Sequence, residues 1–118
     1  MREFPSGAIR DNDVDKLDYE AFLSPLVLKR YAEYLHKHRK QADGQMRSGD
    51  NWQKGIPLNV YMKSKCLHFQ DTHLIHRGFP EEAAVSDIEE TLCAELFNTM
   101  GYLFEVLIEK KRRKEEDE

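Results

Sequence analysis

The helical segment near the carboxyl end constrains this chain most, because it is apolar around more than half of its circumference. At about 100° per residue, the apolar side chains between residues 87 and 110 cover an arc of roughly 200°. A surface helix needs a stripe of only about 100°. The arc is formed by Leu92, Cys93, Leu96, Phe97, Met100, Leu103, Phe104 and Ile108. We therefore expect part of this surface to meet another subunit, so that the protein is at least a dimer.

Start and stop signals divide the preceding chain into two further helices. Ser24 and Pro25 supply an N-cap and a first-turn proline, and they predict a helix that runs to about residue 40. The next helix is predicted at residues 56–77, with Pro57 in its first turn and Gly78 directly after its end. No stretch alternates in the manner of a strand. The predicted fold class is all-α, a compact bundle of three main helices with long ordered loops.

Size and charge narrow the class of protein. The 118 residues predict one domain, residues 1–109, followed by a charged tail, residues 110–118, that is expected to be disordered. A net charge of −4, with lysine and arginine interspersed among acids, gives no reason to expect a nucleic-acid partner. No stretch resembles a membrane span or a signal peptide, and the two cysteines lack CxxC spacing. A cytoplasmic protein without a membrane partner is expected.

Two carboxylates, Asp71 and Glu90, occupy positions where the helical period calls for apolar side chains. A carboxylate in an apolar seam is costly unless it meets a cation, a metal or a hydrogen-bond donor. On two helices expected to pack together, the pair suggests a shared hard cation such as Mg²⁺ or Mn²⁺, with Glu89 beside it. A structural interpretation stays open. Glu90 lies in a first helical turn, which favours carboxylates. Asp71 has the alternatives of pairing with a lysine or arginine and of facing a subunit boundary.

Other candidates for a polar site lie on the same helices and near the amino terminus. His68 precedes Asp71 by three residues and is placed either to carry a proton or to make a structural hydrogen bond. Asn98 has small neighbours, which leave space for a ligand or for a close helix contact. Arg10 and Lys16 are cations in an irregular segment, a suitable arm to fold over a polyphosphate.

Residues 41–55 form a polar connection that is long for a structureless loop, and such connections are often functional. Asp43-Gly44, Ser48-Gly49 and Lys54-Gly55 mark turns within it. Trp52 is expected to anchor this loop to the core.

Several of these blocks, taken together, resemble one family. In order they are Gly7-Ala-Ile-Arg-Asp11, Lys16, Leu23-Ser-Pro25, Asn51-Trp-Gln-Lys-Gly-Ile-Pro57, His68 and Leu92-Cys-Ala-Glu-Leu-Phe-Asn98. Over residues 6–107 the chain resembles the phage-encoded dATP/dGTP diphosphohydrolase N-terminal domain family, which is associated with MazG-like all-α nucleotide pyrophosphohydrolases. The block at residues 51–57, followed by a helix that contains a histidine, is the most specific part.

The resemblance implies hydrolysis of a purine deoxynucleoside triphosphate to the monophosphate and pyrophosphate, by a dimer or tetramer in the host cytoplasm. It implies that Asp71 and Glu90 hold Mg²⁺ or Mn²⁺, and that Glu89 and His68 serve catalysis. The residues expected to bind the substrate are Arg10, Lys16, Asn51, Trp52, Lys54 and Asn98.

The chain departs from the usual MazG pattern, in which two helices supply four acidic ligands. His68-x-x-Asp71 and Glu95-x-x-Asn98 stand at the corresponding places here. Two alternatives therefore stay open beside the hydrolase. One is a non-catalytic module that binds and sequesters a nucleotide, and the other is a small helical adaptor.

Overall fold

The computed structural model describes residues 1–12 and 15–117; Glu118, the last residue of the predicted tail, lies outside them. The all-α class is confirmed, with 63% helix and 5% strand. The helices are α1 (Tyr19–Phe22), α2 (Pro25–Lys37), α3 (Leu58–His76) and α4 (Ile88–Glu116), and the 3-10 helices are Asn51–Lys54 and Pro80–Glu82. Two strands that the sequence did not predict, β1 (Arg2–Glu3) and β2 (Ile9–Arg10), pair antiparallel at the amino terminus.

Local signals explain where the three long helices begin and end. Ser24 Oγ accepts the Val27 N–H at 3.2 Å, and Pro25 follows in the first turn of α2. Gly78 follows α3 with a φ of 91°, a backbone conformation that favours glycine. Asp87 caps α4 by accepting a backbone N–H from the first turn at 2.9 Å. Caps of this kind satisfy backbone groups that a helix end otherwise leaves unpaired.

Helix α4 continues to Glu116, beyond the predicted end near residue 110. Ion pairs three or four residues apart run along this last part. Arg112 contacts Glu109 and Glu116, and Arg113 contacts Glu109 at 3.0 Å. The hydrogen bond from Arg112, together with one from Arg113, lowers the pKa of Glu109 to about 2. The tail lacks apolar residues, but opposite charges at helical spacing hold it as a helix.

The core is small and lies in the seam between α3 and α4, with a contribution from α2. Its buried apolar side chains are Tyr31, Tyr61, Cys93 and Ala94. The ring of Tyr61 covers Gly101 so closely that a Cβ at that position would overlap it. The seam is therefore tight at this point, where α3 and α4 pack closely.

The molecule is more extended than the predicted compact bundle. Its radius of gyration is 19.7 Å, whereas a compact chain of this length has about 13.5 Å. One reason is α4, whose 29 residues extend for about 43 Å. Another is α2, where Val27 and Leu28 remain half exposed. By length and composition α4 alone among the described helices could cross a membrane, a test that core helices of soluble proteins also pass.

Candidate functional site

A cavity of about 270 Å³ opens where α2 and the loop after it meet α3 and α4. Its wall combines aromatic and apolar side chains with cations, hydroxyls and amides. The lining residues are Tyr34, Leu35, His38, Arg39, Arg47, Ser48, Gly49, Asn51, Trp52, Ser64, His68, Phe97, Asn98 and Met100.

A tight turn after α2 brings two arginines of the cavity wall together. The Arg47 N–H donates to the Arg39 carbonyl at 2.7 Å, and Arg39 Nε donates to the Arg47 carbonyl at 2.8 Å. Gly44, with a φ of 85°, belongs to the turn between them. Within residues 1–12 and 15–117, neither guanidinium lies within ion-pair distance of a carboxylate. Their positive charges are thus not neutralised by the fold.

Aromatic side chains form a second part of the wall. Trp52 lies in the 3-10 helix Asn51–Lys54 and meets Phe104 of α4 edge to face, with ring centroids 4.6 Å apart. The predicted anchoring of the loop by Trp52 is confirmed by this contact. Tyr34 lies against His38, with centroids 4.3 Å apart. Burial raises the pKa of the Tyr34 phenol, as does the nearby charge of Glu90, so the phenol is neutral at pH 7.

Polar groups from α3 and α4 complete the wall. Asn98 is buried, and its Nδ2 donates to the Ala94 carbonyl at 2.8 Å. The Asn98 amide oxygen accepts no hydrogen bond from any described residue, which leaves it available to a ligand. Ser64 and His68, one helical turn apart on α3, are half-buried and line the same space.

Four predicted site residues meet in this cavity: Asn51, Trp52, His68 and Asn98. The remaining six do not line it. Lys54 is exposed at the end of the 3-10 helix. Arg10 lies exposed in β2, and Lys16 lies exposed between β2 and α1.

The Asp71 carboxylate has a structural partner in the loop before α4. Its two oxygens accept the backbone N–H groups of Ala84 and Val85, at 3.0 Å and 3.2 Å. These bonds fasten the loop to α3. They also account for a carboxylate on a face that the helical period assigns to apolar residues.

The start of α4 carries two acids, Glu89 and Glu90, which pair with cationic side chains of α2 and with His38 directly after it. Glu90 lies 2.7 Å from Lys37 Nζ and 3.7 Å from Arg30, and His38 approaches its other oxygen at 3.7 Å. The hydrogen bond from Lys37 lowers the pKa of Glu90, and the charges of Arg30 and His38 act in the same direction. Glu89 accepts a hydrogen bond from Arg30 Nε at 2.6 Å.

These partners bear on the predicted metal site. Asp71 and Glu90 share no partner, and the described part of the chain holds no group of three or more His, Cys, Asp or Glu side chains that could bind a metal ion. At Glu90 a divalent ion would compete with the Lys37 ammonium, and both oxygens of Asp71 already accept backbone N–H groups. In this arrangement the donor set does not fit a resident Mg²⁺ or Mn²⁺, and the metal assignment stays a prediction.

Sequence reasoning missed Arg39 and Arg47, the strongest cations of the cavity. A signal for them was present. Asp43-Gly44 favours a tight reversal of the chain, and the two arginines stand four residues before and after Asp43. When the chain reverses at Asp43, residues that lie equally far before and after it, such as Arg39 and Arg47, come to lie side by side.

The chain was also compared with protein-family models, with curated proteins and with solved structures. None of these three comparisons found a match.

Proposed function

We propose that this protein binds a purine nucleotide in the cavity, with the base among the aromatic side chains and the phosphates at Arg39 and Arg47. One observation carries the proposal. Two guanidiniums, which meet no carboxylate in the described part of the chain, line the same cavity as Trp52 and Tyr34. Guanidinium groups bind phosphate oxygens through paired hydrogen bonds, and aromatic faces stack on bases.

The size of the cavity suits part of such a ligand. Its volume of about 270 Å³ lies near the lower end of the range for ligand cavities, about 300–1,000 Å³. A base and its sugar occupy a space of this size, and the phosphates then lie at the open mouth. The Asn98 amide oxygen can accept a hydrogen bond from a base, and the expected preference for a purine comes from the family resemblance alone.

Hydrolysis of a nucleoside triphosphate is a second candidate, favoured by the place of His68. The predicted proton carrier lies in the wall of the same cavity as the predicted substrate-binding residues Asn51, Trp52 and Asn98. Histidine is the side chain most often used as a general base, and it acts from within hydrogen-bond reach of its target. Binding without turnover is the simpler function, because it needs only groups that already line the cavity.

The test is a calorimetric titration of the full chain with dATP, dADP, dAMP and deoxyadenosine, and with the matching dCTP series. We expect affinity to rise with each phosphate and to favour the purine. Arg47→Gln should weaken dATP binding by about 10-fold or more, because it removes a charged donor. Arg77→Gln is the matched control, since Arg77 is exposed and does not line the cavity. Absence of binding by every nucleotide at millimolar concentration would contradict the proposal.

The same samples decide between the two candidates. They are incubated with Mg²⁺ or Mn²⁺ and resolved by ion-exchange chromatography. Monophosphate and pyrophosphate that disappear in His68→Ala, while dATP still binds, would establish hydrolysis at this cavity. Intact dATP beside saturable binding is the result expected of a nucleotide-binding module.

A further inference from the structure

The outer face of α4 carries a row of leucines that no other part of the described chain covers. Leu92, Leu96, Leu103 and Leu107 fall within about 60° of one another around the helix. Their side chains are 47%, 43%, 54% and 47% exposed. We call this row the leucine stripe. Leucines repeated in this way are typical of a helix–helix contact.

The leucine stripe lies nearly opposite the face by which α4 joins its own chain. Ala94, Asn98 and Gly101 are buried against the rest of the molecule, and they lie about 150–170° around the helix from the centre of the stripe. One chain therefore covers one side of α4 and leaves the other side bare.

The surface area of the chain shows how much is left uncovered. The molecule exposes 9787 Å². A compact monomer of its mass, 13.9 kDa, exposes about 6,700 Å². The excess is about 3,000 Å², and each subunit of an obligate dimer buries about 1,000–2,500 Å². A second copy of the chain accounts for a third or more of this excess, and the extended shape of the single chain contributes the rest.

We infer that the leucine stripe is the contact with a second copy of this chain, with the two α4 helices antiparallel. The charges at the ends of α4 are complementary in this orientation. Glu89 in the first turn and Lys110 near the other end both fall within the arc of the stripe. The Glu89 side chain is 65% exposed, although it also bonds to Arg30 of its own chain. A two-fold axis between Thr99 and Met100 sets Glu89 of one protomer beside Lys110 of its partner, because both are equally far from that axis. A parallel pair would bring like charges together.

The charges beside the leucine stripe also favour a protein partner over a lipid surface. A helix that lies on a membrane carries lysine and arginine along its polar face. Here the lysines and arginines of α4 are confined to residues 110–114, and Glu89 lies on the face of the stripe. Most of α4 therefore lacks the cations that attract anionic lipid headgroups.

The first test is the mass of the full chain by light scattering, without nucleotide, over a range of micromolar concentrations. We expect twice the 13.9 kDa of one chain. The double variant Leu96→Glu, Leu103→Glu should be monomeric or unfolded. Loss of the dimer supports the inference, because each side chain is about half exposed in the single chain and an assembly would cover the exposed half. Leu26→Glu is the control; Leu26 is 77% exposed on α2, and the variant should keep the dimer mass.

A second pair of variants tests the orientation of the helices. Lys110→Glu should weaken the dimer by about 2- to 5-fold, as expected for an exposed ion pair. Adding Glu89→Lys should restore part of the affinity, because it re-forms the pair across the interface but also removes the bond from Glu89 to Arg30. If Glu89→Lys weakens the dimer further when it is added to Lys110→Glu, the antiparallel arrangement is wrong.

Three outcomes would overturn the contact itself. They are a monomeric wild-type chain at every concentration, a dimer that the stripe variants leave unchanged, and a monomer that floats with phosphatidylcholine or phosphatidylserine vesicles through the stripe. None of these measurements uses a nucleotide, so the inference stands or falls separately from the proposed function.

Discussion

Two clusters of charge lie on either side of His38, and they differ in what neutralises them. In the first, at the start of α4, Glu90 is surrounded by cations of its own chain, with Lys37 closest at 2.7 Å. In the second, Arg39 and Arg47 line a cavity and meet no carboxylate among the described residues. Charges that the fold pairs contribute to its stability, whereas charges that it leaves unpaired remain available to a ligand.

Removing both unpaired arginines should have the largest effect. Arg39→Gln with Arg47→Gln should weaken dATP binding by at least about 100-fold, about 3 kcal/mol, because each guanidinium supplies charged hydrogen bonds to phosphate. Calorimetry measures the affinity, and circular dichroism should show that the variant stays folded, although Arg39→Gln removes the hydrogen bond from Arg39 Nε to the Arg47 carbonyl. A variant that binds dATP normally would show that the unpaired cations do not form the site.

Filling the tight seam between α3 and α4 should cost stability. Gly101→Ala places a Cβ against the ring of Tyr61, which is buried and has little room to move. We expect a loss of about 2–3 kcal/mol in the free energy of unfolding, measured in urea. Gly49→Ala is the matched control, because a Cβ there meets open space at an ordinary φ. Equal stability of the two variants would mean that the seam is looser than described.

Removing the Asp71 carboxylate should affect stability but not binding. Asp71→Ala leaves the N–H groups of Ala84 and Val85 without their acceptor. The expected loss is about 1–2 kcal/mol in the free energy of unfolding, with dATP affinity within about 2-fold of the wild type. If Asp71→Ala abolishes binding or turnover while the protein stays folded, the carboxylate belongs to the functional site and does more than hold the loop before α4.

Neutralising Glu90 should have the smallest effect, and that effect should depend on pH. The pKa of Glu90 is lowered in the folded state, so its contribution is present above its ordinary value of 4.5 and is lost as the pH falls through the folded value. Glu90→Gln should therefore lower the free energy of unfolding by about 1 kcal/mol at pH 7. Urea titrations at pH 7 and pH 3.5 compare the two proteins. The same difference at both pH values would contradict the role of the charge.

Much of the fold follows from local sequence signals. Ser24-Pro25 and Gly78 mark helix ends that the structure places within one or two residues, because caps and glycine act over a single turn. The sequence interpretation ends α4 near residue 110, whereas the helix reaches Glu116. The composition of the charged tail suggests disorder, but the spacing of its ion pairs favours a helix. The sequence predicts a compact bundle, whereas the molecule is extended. The difference arises because the exposure of apolar faces depends on packing that no local pattern specifies.

The candidate site was harder to predict, because its members are distant in the sequence. Trp52, Asn51, His68 and Asn98 were identified, and they meet in one cavity. Periodicity singled out Asp71 as a carboxylate on an apolar face. It carries no information about the partners of Asp71, which lie thirteen and fourteen residues later in a loop.

In the proposed function, Arg39 and Arg47 hold the phosphates of the nucleotide, and binding needs no metal ion held by the chain. Trp52 is the single tryptophan of the chain and lines the cavity, so its fluorescence reports on this site alone. The decisive measurement is a titration of Trp52 fluorescence with dATP, in EDTA and again in Mg²⁺. We predict a saturable change in EDTA that is lost in the Arg39→Gln, Arg47→Gln variant. A fluorescence change that appears only with Mg²⁺, or that the variant retains, would contradict binding of the nucleotide by Arg39 and Arg47.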